Sequence, residues 1–297
     1  MRLISFDPFR SLHIPGVTVL KPEHWLAHRD VLRAADCVLF PEYWQLDALQ
    51  YALGCRVFPS PAALRLGHDK IAMTRAMEAA FPAWTPATLI RANTPAARDE
   101  ILDRFEFPFV MKVPRESMGR GVRLIKERRE FNDWCDSDQP VLYAQEYLPI
   151  ERDLRVVWVG DAVVAAYWRK GVDGFLNNVA QGGSVDFDGI PQTALDAVAV
   201  IARGLGIDHA GVDIAMVQGH PFVLEFNIRF GNQALTERGI RVEEHIHAWL
   251  LQQFGDLAPL PRSARGRQGC EPSWSMASRR CRRGGLSCSN GARGTCR

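Results

Sequence analysis

Gly211-Val212-Asp213-Ile214-Ala215-Met216-Val217-Gln218-Gly219-His220-Pro221-Phe222-Val223-Leu224-Glu225-Phe226-Asn227 is two apolar strands about a glycine turn, with three oxygen-bearing side chains set into them. Ala210–Val217 and Phe222–Phe226 have the composition of buried strands, and Gly219-His220 makes the turn between them. Glu225 and Asn227 are two apart on one strand, so both point to one face. Asp213 lies on the preceding strand, brought across by the turn. Three oxygen ligands converging at the ends of two adjacent strands suit Mg²⁺, which keeps its other positions for phosphates and water. The alternative is an exposed face with incidental acids. Against it, the flanks are strongly apolar, and a carboxylate embedded in core strands needs compensation.

Upstream, Lys112 ends the apolar run Phe109-Val110-Met111 and precedes a glycine-bearing loop, Arg115-Glu116-Ser117-Met118-Gly119-Arg120-Gly121. A lysine ending a buried strand beside flexible glycines can meet a polyphosphate while backbone N–H groups fold over it. Gly119 and Gly121 could instead merely shape a hairpin. G-x-x-x-x-G-K-[ST] is absent, and a strand rather than a helix follows the glycines, so neither a P-loop nor a dinucleotide fingerprint is present. Glu146, which with Tyr147 closes the strand Val141–Glu146, could accept from an adenine amino group. Asp153 and Arg155 share a face of an extended segment; an acid there suits ribose hydroxyls and an arginine suits phosphate or carboxylate. A ladder of salt bridges is the competing explanation for that pair.

The remaining elements read as a mixed α/β and α+β chain. Short strands at Arg2–Phe6, Cys37–Phe40 and Arg56–Phe58 alternate with helical stretches at Glu23–Ala35 and Gln45–Leu53. Helices are expected over His68–Ala80, Thr94–Phe105, Glu127–Cys135, Gln192–Leu205 and Val242–Phe254, with an extended link from Pro86. Arg155–Val159 and Ala162–Tyr167 flank a Gly160-Asp161 hairpin.

The order of these pieces resembles the ATP-grasp superfamily, and most closely its RimK-type glutamate ligases. The succession is His68-Asp69-Lys70, Phe109–Lys112 with Gly119-x-Gly121, Gln145-Glu146-Tyr147, Asp153-x-Arg155, Gly211-Val212-Asp213 and Glu225-x-Asn227. The resemblance runs from about Val57 to Phe254. It implies an ATP-grasp fold: a small N-terminal α/β domain over residues 1–66, then two α+β subdomains over 67–258 that clamp ATP, with a lid at about 108–146. It also implies that Lys70 and Lys112 contact the phosphates, and that the Gly119–Gly121 loop closes over them. Glu146 and Tyr147 would sit at the adenine, with Asp153 near the ribose. Asp213, Glu225 and Asn227 would hold two Mg²⁺ (or Mn²⁺) ions, and Asn178 would approach phosphates and metal. The implied activity is an ADP-forming carboxylate–amine ligase working through an acyl phosphate. Its substrates would be a small carboxylate and an amine, or a peptide or protein tail.

Arg155, Arg169 and Arg229 are the candidates for clamping the substrate carboxylate or the developing phosphate. The RimK branch has His-Arg before Gly-Gly where this chain has Ala180-Gln181. Its Asn227-x-Arg229-Phe230-Gly231 is closer to other ATP-grasp ligases and carboxylases. An ATP-dependent carboxylase-like enzyme and a non-catalytic ATP-binding regulator are therefore the alternatives.

The chain is 297 residues long, 47% hydrophobic and 24% charged, which excludes collagen, coiled coil and wholesale disorder. It has no apolar run of membrane-spanning length and no basic-then-apolar leader. Its formal charge of +2 is an average of unlike parts. Residues 1–261 hold 27 Lys+Arg against 33 Asp+Glu, whereas 262–297 hold nine Arg and one acid, Glu271. Residues 259–297 are expected to be a disordered basic tail, and their patternless Arg, Gly, Ser and Cys resemble an out-of-frame extension. The charge is therefore no argument for nucleic-acid binding. Cys37, Cys55 and Cys135 are scattered, as expected of buried thiols in a cytoplasmic protein. A homo-oligomer is left open.

Overall fold

Four short parallel strands open the chain: Leu3–Ser5 (β1), Val17–Val19 (β2), Cys37–Leu39 (β3) and Val57–Phe58 (β4), in the order β2-β1-β3-β4. The computed structural model describes residues 1–116, 121–171 and 183–255, all within one compact unit; the expected basic tail, Gly119 and Asn178 lie outside them. Pro8–Ser11 (α1) follows β1 and is capped by Asp7, whose side chain accepts from the Arg10 N–H. The two long helices expected in this region are broken. The first is a 3₁₀ stretch, Pro22–His28, running into Arg29–Arg33 (α2). The second is a 3₁₀ turn, Tyr43–Gln45, followed by a π-helical turn, Ala48–Ala52. Pro61 occupies the first position of Pro61–Leu66 (α3), where proline's missing N–H is harmless. Asp69 then caps Lys70–Ala80 (α4) by accepting from the Ile71 and Ala72 N–H groups.

A second sheet is antiparallel throughout. Thr88–Ala92 (β5), Phe109–Lys112 (β6), Val122–Ile125 (β7) and Val141–Glu146 (β8) run in the order β5-β8-β6-β7. Pro95–Arg104 (α5) and Arg128–Asp136 (α6) supply Ile101 and Phe131 to a core with Phe109, Met111 and Leu142. The segment 108–146 therefore makes three of four strands, and the link after Pro86 is the edge strand β5.

The third sheet comprises Asp153–Val159 (β9), Ala162–Lys170 (β10), Ser184–Asp186 (β11), His209–Val217 (β12) and His220–Asn227 (β13), ordered β11-β10-β9-β12-β13. Alternation sorts its side chains between two layers. Leu154, Val156, Trp158, Val212 and Ile214 pack on Gln192–Leu205 (α7), which ends at left-handed Gly206. Val157, Val159, Ala165 and Tyr167 face the other way, toward Val242–Phe254 (α9), which follows the short Gln233–Glu237 (α8). Gly160 turns the β9–β10 hairpin at φ 64°, and Trp249 of α9 leaves no room for a Cβ there. Among the described residues no helix is long and apolar enough to cross a membrane.

Candidate active site

The face of the third sheet that carries Val157 also carries the charged residues, because they share its parity. Tyr167, Arg155, Asp213 and Glu225 stand opposite one another across β10, β9, β12 and β13. Arg169 lies opposite Asp153, and Asn227 opposite Gly211. The Arg155 guanidinium forks onto Asp213, with Nε on Oδ1 and Nη2 3.1 Å from Oδ2. Arg169 forks onto Asp153 at 2.7 and 2.8 Å and also reaches Asp213 Oδ2 at 3.0 Å. The four groups are buried and form one continuous ladder. Burial works to raise the Asp213 carboxyl, but the two guanidiniums outweigh it and hold Asp213 below the usual carboxylate range. Asp153 has one guanidinium where Asp213 has two, and burial pushes it up.

Two lysines meet the edge of this row. Lys112, the last residue of β6, is buried and 5.7 Å above the Tyr143 ring, whose hydroxyl is 2.6 Å from Thr74 Oγ1. Burial lowers its ammonium to about 8; Glu225 opposes the shift and Lys70 adds to it. Lys70 opens α4, lies 3.4 Å from Glu225 Oε2 and donates to the Glu116 carbonyl. Its backbone N–H reaches the Pro114 carbonyl, and Arg115 pairs with Asp69, so the start of α4 is tied to the glycine loop. Gly121 sits at φ 72°, and a Cβ there would be 2.7 Å from the Glu116 carboxylate and 2.8 Å from Val113. Tyr143 and Thr74, which sit beneath Lys112, carry no signal that their local sequence could reveal.

The donor set fits a hard divalent cation. Asn227 spends its Nδ2 on Glu225 Oε1 at 3.0 Å, so the amide presents its oxygen elsewhere. Asp213 offers about four acceptor positions and the two arginines use three, leaving Oδ1 room for another partner. Among the described residues no group of three or more His, Cys, Asp or Glu side chains is arranged as a metal site; the expected set has two carboxylates and an amide.

Other expected residues are placed differently. Asp153 was expected at a ribose, but both its oxygens are engaged by Arg169 inside the sheet, so it belongs to the salt-bridge ladder. Glu146 accepts from the Ala87 N–H at 2.6 Å, tying β8 to the chain before β5. Tyr147 follows directly. Arg229, on the loop after β13, pairs with Glu42 of the N-terminal region at 2.8 Å.

A model of the RimK-like ATP-grasp domain matches residues 70–250, more than half of the chain. The chain belongs to the RimK-like ATP-grasp family. Relatives include a ribosomal protein bS6–L-glutamate ligase of Escherichia fergusonii and a probable alpha-L-glutamate ligase of Citrobacter koseri. Each is 28% identical over 167 residues, covering 54% of this chain and 56% of the relative. The chain thus spans about half the length of the curated relatives it matches. The ATP-grasp fold extends further than that sequence match. A RimK domain protein from Sphaerobacter thermophilus superposes with a TM-score of 0.62 at 16% identity, over 84% of this chain and all of that one. D-alanine–D-alanine ligase from Bacillus anthracis, complexed with ATP, gives 0.64 at 13% identity over 85% and 98%. N5-carboxyaminoimidazole synthetase from Staphylococcus aureus, complexed with ADP, gives 0.63 at 14% over 84% and 77%.

Proposed function

We propose that this RimK-like ATP-grasp chain is an ATP-dependent, ADP-forming ligase that joins a carboxylate to an amine. The observation that carries the reading is the convergence of Lys70 and Lys112 on the Asp213–Glu225–Asn227 row beside Arg155. Three carboxylates (Asp153, Asp213, Glu225) meet four cations (Arg155, Arg169, Lys70, Lys112) there, a surplus of one positive charge before any ligand binds. Such a site attracts a polyphosphate together with a carboxylate.

In this reading Lys70, Lys112 and the Gly119–Gly121 loop hold the ATP phosphates, with Glu146 and Tyr147 at the adenine. Asp213, Glu225 and Asn227 would hold the Mg²⁺ or Mn²⁺ ions, two of them, that accompany the nucleotide. When bound, the ions neutralise phosphate charge and draw electron density from the transferring phosphoryl group. Arg155, Arg229 and Asn178 orient the substrate carboxylate. Its oxygen attacks the γ-phosphorus, ADP leaves, and the amine nitrogen then displaces phosphate from the acyl carbon. No nucleophilic side chain is required. The amine is an amino acid, peptide or protein tail, and the cytoplasm, where ATP is present, is the setting.

ADP and phosphate release measured over a panel of carboxylates and amines tests this. Release that needs both partners supports the ligase. Release that needs bicarbonate supports a carboxylase-like enzyme, the reading favoured by Asn227-x-Arg229-Phe230-Gly231. Tight Mg-ATP binding with no release on any partner would leave a regulator.

A further inference from the structure

We infer that His209 and Asn232 hold one buried water molecule between them, and that this water positions the loop after β13 against β12. His209 opens β12 and is 2% exposed. Its ring stacks on Phe230 with centroids 5.1 Å apart and meets Phe40 and Phe58 edge-on at 5.5 and 5.4 Å. Burial, with Arg10 adding to it, lowers the imidazole to about 3, so the ring is neutral and has one donor and one acceptor. A hydrogen bond to the Ile228 backbone uses one ring nitrogen as donor. Nδ1 has no partner among the described residues and is therefore the bare acceptor.

Asn232 stands at the cap position of α8, where an asparagine ordinarily turns its oxygen onto the helix's own N–H groups. Here it makes no capping bond, and its Oδ1 is likewise buried without a partner among the described residues. His209 and Asn232 line the same small cavity, walled by Arg10, Phe230 and Glu243. The space open to the centre of a water molecule is about 10 Å³, room for one water. Two acceptors cannot satisfy each other, whereas one water has two O–H donors and answers both. Arg10 and Glu243 line the cavity with opposite charges, so neither sign of ion is favoured over a neutral water.

The consequence reaches the active site through Phe230. A Cβ on Gly211 would lie 2.8 Å from both Arg155 Nη1 and Phe230 Cγ, so glycine lets the guanidinium and the ring close over this point. Phe230 thus lies between His209 and Arg155, on the loop that carries Arg229 and Asn232. His209 and Asn232 are positioning residues. The bearing on catalysis rests on the ligase reading; the water site does not.

A crystal structure of the full chain, fine enough to place waters, should show one ordered water within hydrogen-bonding distance of His209 Nδ1 and Asn232 Oδ1. Long-range nitrogen NMR should show His209 protonated on Nε2. A dry cavity, a reversed Asn232 amide donating directly to Nδ1, or Arg10 donating to it would overturn the proposal. His209→Phe and Asn232→Leu should each lower the melting temperature by several degrees, while the double variant loses clearly less than the two losses together. Simple additivity would contradict a shared water. Solvent exchange of the Arg155 Nε–H should quicken at least tenfold in His209→Phe; unchanged exchange would remove the positioning role. None of these readouts uses turnover, so failure of the ligase assay is a separate result.

Discussion

Replacing Asp213 with asparagine tests what the buried ladder contributes to the fold, and replacing Glu225 with glutamine tests the proposed metal site apart from it. The side chains of Asp213, Arg155 and Arg169 are only 8–10% exposed, so the substitution leaves two buried guanidiniums facing an uncharged amide. Of the three arginine contacts on Asp213, the amide oxygen keeps those on one side, while its NH₂ turns a donor toward a donor. Removing one partner of a buried ion pair costs about 3–5 kcal/mol. For a folded part of this size each kcal/mol moves the melting temperature by about 2–4 °C, so a fall of about 10 °C is expected. Glu225→Gln is the control. Glu225 is a quarter exposed, its lysine is 3.4 Å away, and the glutamine oxygen still accepts from Asn227. It should change stability by less than about 1 kcal/mol and still abolish ADP release. Differential scanning fluorimetry with urea titration reads both variants. An Asp213→Asn protein that melts within 2 °C of wild type would refute the reasoning.

Lys112→Met should stabilise the ligand-free protein by about 1–3 kcal/mol, because it removes a buried ammonium whose pKa is pushed down to about 8. The same variant should bind ATP at least tenfold more weakly by calorimetry; unchanged affinity would mean that Lys112 serves only the fold. Asp208 and His209 are neighbours with opposite pH dependence. Burial raises Asp208 to about 6, so its contribution is present below about pH 4 and lost as pH rises through 6; its Oδ1 accepts from the Ser60 N–H. His209 is lowered to about 3, so its contribution is present above about pH 6.5 and lost on acidification. Relative to wild type, Asp208→Asn should gain stability as pH rises from 4 to 6, and the deficit of His209→Phe should be largest near neutral pH and shrink toward the acid end. Denaturant titrations at pH 4, 5, 6 and 7 check both signs. Gly211→Ala should slow turnover and lower stability together, since its methyl would meet Arg155 and Phe230; a variant with normal turnover would show that the gap is not needed.

Elements whose burial pattern is regular were legible in the sequence. Gln192–Leu205 and Val242–Phe254 have the bounds expected from their 3.6-residue apolar period. The N-terminal helices were not, because their breaks into 3₁₀ and π turns answer to the small parallel sheet they cover. Asp153 was misread for a related reason. Its spacing to Arg155 was visible, but the partner that engages both oxygens, Arg169, comes from the next strand.

Composition and motif order by themselves determined the class of fold, the acids set among apolar flanks and the lysine before the glycine loop. They could not settle which face each acid takes. Val217 pairs with His220 across the left-handed Gln218-Gly219 turn, and that register carried straight on would set Asp213 opposite Leu224 and turn Glu225 toward α7. A bulge at Leu224 shifts the pairing by one residue, so Glu225 meets Asp213 on the same face. A second bulge, at Val164, does the same for Arg169 and Asp153. The side-chain period of a strand is two, so one extra residue exchanges the buried and functional faces. That residue is chosen by how the strands pack on α7 and α9, a long-range condition with no local signature.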